Sequence, residues 1–335
     1  MEIIMSQPDV YRELSKKLIF ENSPVMLKIW RMLCDEREAN IVNSLPATTE
    51  ELATKFGTTV EEMQGIVDRL FKRGVMIDSI KGGVTTYRMP KHPLQLHDWT
   101  LSGPDASEEL MELWREFGET DYPALLDLLY QIKMPAFMRV VPIDESISTK
   151  SQVLVSEDAV KLLQSASTIA LTDCVCRKLT HKCDRPVDVC LQLNRAAEFA
   201  IKRGTGKKIS VEEGVAVLKR AKDAGLVHFT ENSAHRVNML CNCCDCCCEL
   251  LRFAKDAKNR AIFNPSRYEA AVDADACTLC NVCVEACPMD AIQADSGDAV
   301  VVDKNNCIGC GVCAHQCPAD AISLVEVRSA DFIPA

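Results

Sequence analysis

Hydrophobic and polar residues follow first a helical and then a strand-like pattern across residues 46–90. The stretch TTEELATKFG at 48–57 is typical of a short capped helix that ends at Gly57. A second helix, ending near Gly74, is predicted by apolar residues that share one face: Val60, Met63, Ile66, Val67, Leu70 and Phe71. Residues 75–89, VMIDSIKGGVTTYRM, then predict two strands around a glycine turn at 82–83.

This order of helix, turn, helix and hairpin, preceded by predicted helices around 9–20 and 24–34, resembles a winged-helix domain. Winged helices often bind DNA, so a redox-sensing regulator is one alternative function. However, the second helix begins with Glu61 and Glu62, where DNA contacts require basic side chains. Between Pro46 and Pro90 six acidic residues balance six basic ones. The pattern therefore favours protein binding or homodimer formation over nucleic-acid recognition.

The region from 91 to 150 predicts two amphipathic helices, ASEELMELWREFG and YPALLDLLYQI, followed by an inward-leading strand, FMRVVPI. Trp99 and Trp114 are expected in the core. Farther along, IALT predicts another strand. SVEEGVAVLKRAKDAG at 210–225 predicts a helix that starts with a capping box at Ser210 and Glu213.

Composition indicates a globular chain with two or three domains: it has 335 residues, of which 47% are hydrophobic and 26% charged. Eighteen of its nineteen cysteines lie between Cys174 and Cys317. The start resembles no export signal, and no run approaches the roughly 18 apolar residues of a membrane span. We therefore expect a cytoplasmic protein of an anaerobic system, whose clustered thiols are metal ligands or redox groups.

Two C-terminal stretches repeat one another: DACTLCNVCVEACPMDAI within 273–292 and NNCIGCGVCAHQCPADAI within 303–322. Each contains the spacing C-x2-C-x2-C-x3-C-P, so residues 268–327 resemble the bacterial ferredoxins with two [4Fe-4S] clusters. The resemblance implies a (βαβ)2 module. It also implies one cluster on Cys277, Cys280, Cys283 and Cys317, and a second on Cys307, Cys310, Cys313 and Cys287. Two zinc sites are the disfavoured alternative, because zinc ribbons usually pair C-x2-C units.

The same module carries most of the negative charge. Between Tyr268 and Val327 ten acidic residues face a single base, Lys304, a formal charge of −9 within a chain total of −10. Such a field favours a basic redox partner and disfavours nucleic acid, although simple solubility explains it equally well.

Ten further cysteines precede the ferredoxin-like module, in two segments separated by the predicted helix at 210–225. They are Cys174, Cys176, Cys183, Cys190, Cys241, Cys243, Cys244, Cys246, Cys247 and Cys248. We expect the helical insert to fold back so that these thiols hold one or two additional iron-sulfur clusters. Zinc bound by Cys174, Cys176 and two thiols of the second segment is the less favoured alternative. The CC pairs resemble those of heterodisulfide-reductase-type subunits, but nothing else in the chain matches that family.

Polar residues near the cysteine segments could tune a metal centre: Arg177, Arg185, His228, Asn232 and His235. A cation beside a cluster stabilises its reduced, more negative state. If some thiols bind no metal, the central region could instead be a reductase in which Cys247 or Cys248 attacks a disulfide or sulfur substrate.

Together these patterns predict an α+β multidomain chain. Its parts would be a mainly helical, winged-helix-like domain at 1–100, a helical platform with a cysteine-rich α/β domain at 101–267, and a dicluster module at 268–335. The predicted function is transfer of single electrons through several [4Fe-4S] clusters, as a carrier or as a subunit of an oxidoreductase.

Overall fold

The computed structural model describes residues 9–148, 153–235, 237–294 and 297–335. The chain mixes helices and strands, as expected, and divides into two compact units. Residues 1–123 with 203–205 form one unit, and residues 124–202 with 206–335 form the other. No helix in the described part of the chain is long and apolar enough to cross a membrane.

The first unit consists mainly of short helices and one hairpin. Its elements are α1 Val10–Lys17, α2 Pro24–Leu33, α3 Glu36–Asn43, α4 Thr49–Phe56, α5 Val60–Arg73, β1 Ile77–Lys81, β2 Val84–Arg88 and α6 Pro93–Leu101. Capping boxes at Thr48 and Thr59 start α4 and α5, and the left-handed Gly57 and Gly74 end them. The structure therefore confirms the predicted helices and hairpin. They could be predicted because their start and stop signals lie within the elements themselves.

The predicted inner face of α5 is buried except at its first residue. Val60 is 47% exposed, whereas the other five apolar residues of that face are buried. Trp114 is 1% exposed and donates its indole N–H to Thr100 Oγ1 at 3.2 Å, so it is a core residue as expected. Trp99 is only half-buried.

One long helix, α7 Glu108–Gln131, replaces the two helices predicted for this region. The prediction was wrong because Pro123 does not end the helix. A proline removes one backbone hydrogen bond, to the carbonyl four residues earlier. The helix continues because its buried stripe runs across the proline: Leu110, Trp114, Phe117, Tyr122, Leu125 and Leu126.

The second unit is built on a seven-stranded sheet with helices between its strands. Its elements are β3 Met138–Val141, α8 Ala159–Ser165, β4 Ile169–Thr172, α9 Val175–Thr180, β5 Cys190–Leu193, α10 Asn194–Arg203, β6 Lys207–Lys208, α11 Val211–Asp223, β7 Val227–Glu231, β8 Met239–Cys243 and β9 Phe263–Asn264. The strand order is β6-β4-β5-β8-β7-β3-β9, and only β3 and β9 are parallel. The predicted strands at 138–141 and 169–172 and the predicted helix at 211–223 are confirmed.

This sheet places the two cysteine segments side by side. Strand β5 pairs with β4 on one side and with β8 on the other. The first segment runs from the end of β4 through α9 to β5, and the second begins in β8. Helix α11 separates the two cysteine segments along the chain, but the pairing of β5 with β8 brings them together in one sheet.

The C-terminal part of the second unit contains two small strand pairs and two short helices. Its elements are β10 Tyr268–Val272, α12 Val282–Ala286, β11 Ile292–Gln293, β12 Val301–Val302, α13 Val312–His315 and β13 Ile322–Glu326. Strand β10 pairs antiparallel with β13, and β11 with β12. The core of this region contains apolar residues, including Tyr268 and Leu324, together with Cys283 and Cys313.

Short 3-10 turns complete the second unit, at Asp144–Ser146, Val155–Glu157, Ala257–Ile262 and Ala330–Phe332. Two of them contact the C-terminal part directly. Ser146 Oγ donates to the carbonyl of Gly311, and Glu157 pairs with Arg267 at 2.9 Å in a site where both side chains are at most 2% exposed. Such contacts hold the C-terminal loops against the rest of the unit.

Candidate metal centres

The two C-terminal cysteine loops have matching backbone conformations. In the first repeat Leu279, Asn281 and Asp290 have positive φ angles, and in the second Gly309, Gly311 and Asp320 occupy the same positions with positive φ angles. Residues other than glycine rarely adopt a positive φ angle. Its recurrence at the same positions of both loops therefore indicates a shared geometric requirement. Both loops therefore present their cysteines with the same backbone geometry.

The structure brings the eight C-terminal cysteines together as two sets of four. Burial raises the pKa of Cys283, and its thiol neighbours are Cys277, Cys280 and Cys317. Burial likewise raises the pKa of Cys310 to about 12, and it also raises that of Cys313 well above its usual value. Their thiol neighbours are Cys287 and Cys307. We call Cys277, Cys280, Cys283 and Cys317 set one, and Cys287, Cys307, Cys310 and Cys313 set two.

Both sets suit iron-sulfur clusters. A cavity lies among the four cysteines of set two, and its other lining is apolar, including Pro288, Ile292 and Leu324. In each set a backbone amide donates to a sulfur at 3.3 Å: Ala291 N–H to Cys287 and Ala321 N–H to Cys317. Amide donors of this kind stabilise thiolate ligands and the negative charge of a cluster.

Residues 270–324 match the family model of the 4Fe-4S dicluster domain. Comparison with curated proteins and with solved structures gave no match. A domain of this family implies iron-sulfur cofactors and electron transfer. The dicluster domain covers the C-terminal cysteine repeats and leaves the ten central cysteines without a counterpart.

Six of the central cysteines form a closed ring of neighbouring thiols. Each interacts with two others, in the order Cys174, Cys176, Cys248, Cys243, Cys241, Cys190 and back to Cys174. We call these residues the six-thiol ring. Three of them come from the first segment and three from the second, so neither segment could build the ring alone.

The ring places more thiols together than can ionise without a cation. Hydrogen bonds from Cys176 and Cys190 lower the pKa of Cys174 to about 3. The reverse holds for Cys176, whose pKa is raised well above its usual value by Cys174 and Cys248. Metal ligands must be thiolates, and neighbouring thiolates repel each other unless a metal ion neutralises them. The donor set therefore suits a metal cofactor.

The other four central cysteines form a tighter group: Cys183, Cys244, Cys246 and Cys247, whose sulfurs all lie within 4.8 Å of one another. We call this the four-thiol group. Cys183 Sγ is 3.9 Å from Cys244 Sγ and 3.8 Å from Cys247 Sγ, and Cys246 Sγ is 3.7 Å from Cys247 Sγ. The stretch CNCCDCCC thus divides its six thiols equally between the ring and this group.

Arg177 lies beside both groups of central thiols. It is 1% exposed, and its Nη2 donates to the Asn242 carbonyl at 3.2 Å and to Cys244 Sγ at 3.5 Å. Burial opposes its charge, yet the nearby Cys174 and Cys244 raise its pKa above the usual value. Its Nε is buried without a hydrogen-bond partner in the described structure, so it can donate to a bound group.

Of the other predicted tuning residues, Arg185 and His228 contact residues beside the central thiols. Arg185 pairs with Asp245 at 3.2 Å beside the four-thiol group, and His228 contacts Asn242 from the neighbouring strand. Burial lowers the pKa of His228 to about 4, so its ring is neutral. Asn232 instead donates to the Ala136 carbonyl, and His235 is exposed.

Sequence patterns missed the division of the central cysteines into six and four. The predicted zinc arrangement used Cys174 and Cys176, whereas the structure places both in the six-thiol ring and builds the compact group from other thiols. The sequence did contain one signal for this division. Side chains change direction along a strand and its following turn, so adjacent cysteines can serve different sites.

Proposed function

We propose that this chain is an electron-transfer protein, or a subunit of an oxidoreductase, that passes single electrons to or from a redox partner. The observation that carries the proposal is the dicluster domain, with set one and set two as the ligands of two [4Fe-4S] clusters. When bound, such clusters accept and release one electron at a time without making or breaking substrate bonds.

Set one lies closer to the surface than set two. Cys310 and Cys313 are buried, but Cys280 is exposed and its neighbour Leu279 is 40% exposed. Electron transfer between proteins requires a short path to the partner. We therefore propose that the partner docks over set one, and that the acidic residues of this domain favour a basic docking surface.

The six-thiol ring supports a further iron-sulfur cluster in the central region. Its donors are soft thiolates, which suit iron-sulfur centres, and Arg177 supplies a fixed positive charge beside them. A chain with so many free thiols suits a reducing compartment such as the cytoplasm.

We also propose that the front of the chain is a winged-helix-like docking or dimerising domain, with approximate boundaries at residues 100 and 267 for the three predicted parts. Helices α4 and α5 with the β1–β2 hairpin support this arrangement. Glu61 and Glu62 are exposed at the start of α5, which opposes DNA binding. Salt-dependent binding to a specific duplex would favour the regulator instead.

Burial favours an electron carrier over the reductase alternative. The two thiols proposed as attacking groups, Cys247 and Cys248, are 0% and 5% exposed. Each also belongs to one of the two thiol groups. A nucleophilic thiol must reach its substrate, so neither residue is well placed for attack on a disulfide.

The test is to purify the full chain without oxygen and measure iron, acid-labile sulfide and the EPR spectrum after reduction with dithionite. We expect about eight irons from the dicluster domain and additional iron from the ring. Electron transfer to cytochrome c, a basic one-electron acceptor, is then followed by stopped-flow absorbance. Reducible clusters and rapid transfer support the proposal, whereas the absence of either would overturn it.

A variant pair sharpens the test. Cys280→Ser removes the exposed thiol of set one, and Cys34→Ala removes a buried cysteine of the first unit, outside all of the thiol groups. We expect Cys280→Ser to slow transfer to cytochrome c and to change the EPR spectrum. Cys34→Ala should leave both unchanged. Equal behaviour of the two variants would refute the proposed role of set one.

A further inference from the structure

We propose that the four-thiol group binds one tetrahedral zinc ion, separate from the iron-sulfur centres. Three of its sulfur–sulfur separations are 3.7, 3.8 and 3.9 Å, and all four sulfurs lie within 4.8 Å of one another. A zinc–thiolate bond is about 2.3 Å long, so two corners of a regular ZnS4 tetrahedron lie about 3.8 Å apart. The sulfurs therefore already stand at the separation that a single ion requires.

A four-iron cluster requires a wider arrangement of ligands. Its four irons lie between the ligand sulfurs, whereas one ion lies at the centre of a zinc site. Within the described residues the four-thiol group is the one cluster of three or more potential ligands whose donor atoms all lie within 4.8 Å. The structure also describes the cysteines of set one and set two, and the four sulfurs of neither set all lie within 4.8 Å of one another. The chain thus contains closely spaced thiols that suit a single ion and more widely spaced thiols that suit a four-iron cluster.

The surroundings of the four-thiol group suit the charge of this site. Four thiolates around Zn2+ carry a net charge of −2. Arg177 donates to Cys244 Sγ at 3.5 Å, and Arg185 lies beside the group in its ion pair with Asp245. Such outer donors offset the negative charge and hold the ligands in position.

The coordination would be closed and structural. Four protein thiols complete a tetrahedron and leave no position for water or substrate, and zinc itself has no redox chemistry here. Cys183 lies in the loop between α9 and β5, whereas the other three ligands lie in the turn after β8. The ion would therefore join the two cysteine segments, whose remaining cysteines belong to the six-thiol ring, and so fix the geometry of that ring.

This inference does not rest on the proposed electron transfer, and its test separates the two. The full chain is purified without oxygen from cells supplied with both iron and zinc, and metals are counted by mass spectrometry. We expect one zinc per chain, surrounded by four sulfurs at about 2.3 Å in zinc-edge X-ray absorption. Zinc below a tenth of the chain concentration, zinc with nitrogen or oxygen ligands, or a single iron bound by four thiolates would overturn the assignment.

Two serine variants distinguish the four-thiol group from the ring. Cys246→Ser should lower zinc at least fivefold and leave the EPR signals of the dicluster domain unchanged. Cys241→Ser, in the ring, should keep zinc and lose iron. Loss of iron instead of zinc in Cys246→Ser would refute the inference. If Cys246→Ser fails to fold, the absorption spectrum of the unaltered protein decides the question alone.

Discussion

Gly309, between Cys307 and Cys310 of set two, has less space around it than the neighbouring Gly311. Its φ angle is +64°, and a β-carbon there would lie 2.1 Å from the Tyr268 carbonyl oxygen and 2.3 Å from Ser266 Oγ. Ser266 Oγ also donates to the carbonyl of Gly309 at 2.7 Å, which holds the loop against β10. Gly309→Ala therefore introduces a side chain where the structure has no room for one.

Two costs add up in this variant. A left-handed conformation costs a residue with a side chain about 1–2 kcal/mol, and forcing a methyl group into packed surroundings costs about 1–3 kcal/mol. Leu279 has the same conformation in the first loop, with 40% of its side chain exposed, so the backbone conformation alone is tolerated. The contact with the carbonyl must decide the outcome. We expect a loss of about 2–5 kcal/mol, concentrated between Cys307 and Cys310.

The assay compares Gly309→Ala with two other glycine variants by iron content, EPR and unfolding in denaturant. Gly82 has a positive φ of +57° in open space, and Gly297 has neither a positive φ nor a close neighbour. We expect Gly309→Ala to lose about four irons, Gly82→Ala to lose stability only, and Gly297→Ala to change little. Full iron content and an unchanged spectrum in Gly309→Ala would refute this reasoning.

Three further results are expected. Glu157→Gln weakens the buried pair with Arg267, which keeps its second partner Glu326, and should lower the free energy of unfolding by about 1.5–3 kcal/mol. Loss of the exposed Arg220–Asp188 pair should cost at most about 1 kcal/mol; equal losses in denaturant unfolding would contradict this. Arg177→Met should lower the midpoint potential of the cluster proposed for the six-thiol ring, because its reduced state loses the cation beside Cys174 and Cys190. An unchanged potential in EPR-monitored titration at full iron content would argue against that role. Electron transfer to cytochrome c should slow as salt rises, because salt screens the acidic surface; a salt-independent rate would exclude electrostatic docking.

Elements with local signals could be predicted from the sequence. Helices α4, α5 and α11 each have a threonine or serine capping box, and the β1–β2 turn contains two glycines. These signals act within a few residues, so they do not depend on the rest of the fold. The continuous helix α7 was missed because its buried stripe outweighs the local effect of Pro123.

Features that join distant parts of the chain could not be predicted in the same way. Glu157 and Arg267 are 110 positions apart, and no pattern near either residue indicates their pairing. The partners of each central cysteine depend on the order of β4, β5 and β8 in the sheet. Cysteine spacing therefore predicted that metal is bound, but the three-dimensional pairing of strands determines which thiols meet.

The four-thiol group also has a consequence for folding. Cys183 and Cys244 are 61 positions apart, so one ion bound by both closes a long loop of chain. By the chain-entropy relation for crosslinks, closing a loop of this length removes about 4 kcal/mol of conformational freedom from the unfolded state. This is a large fraction of the roughly 5–15 kcal/mol that stabilises a typical domain. Metal supply during synthesis would then determine how much of the newly made chain reaches its native state.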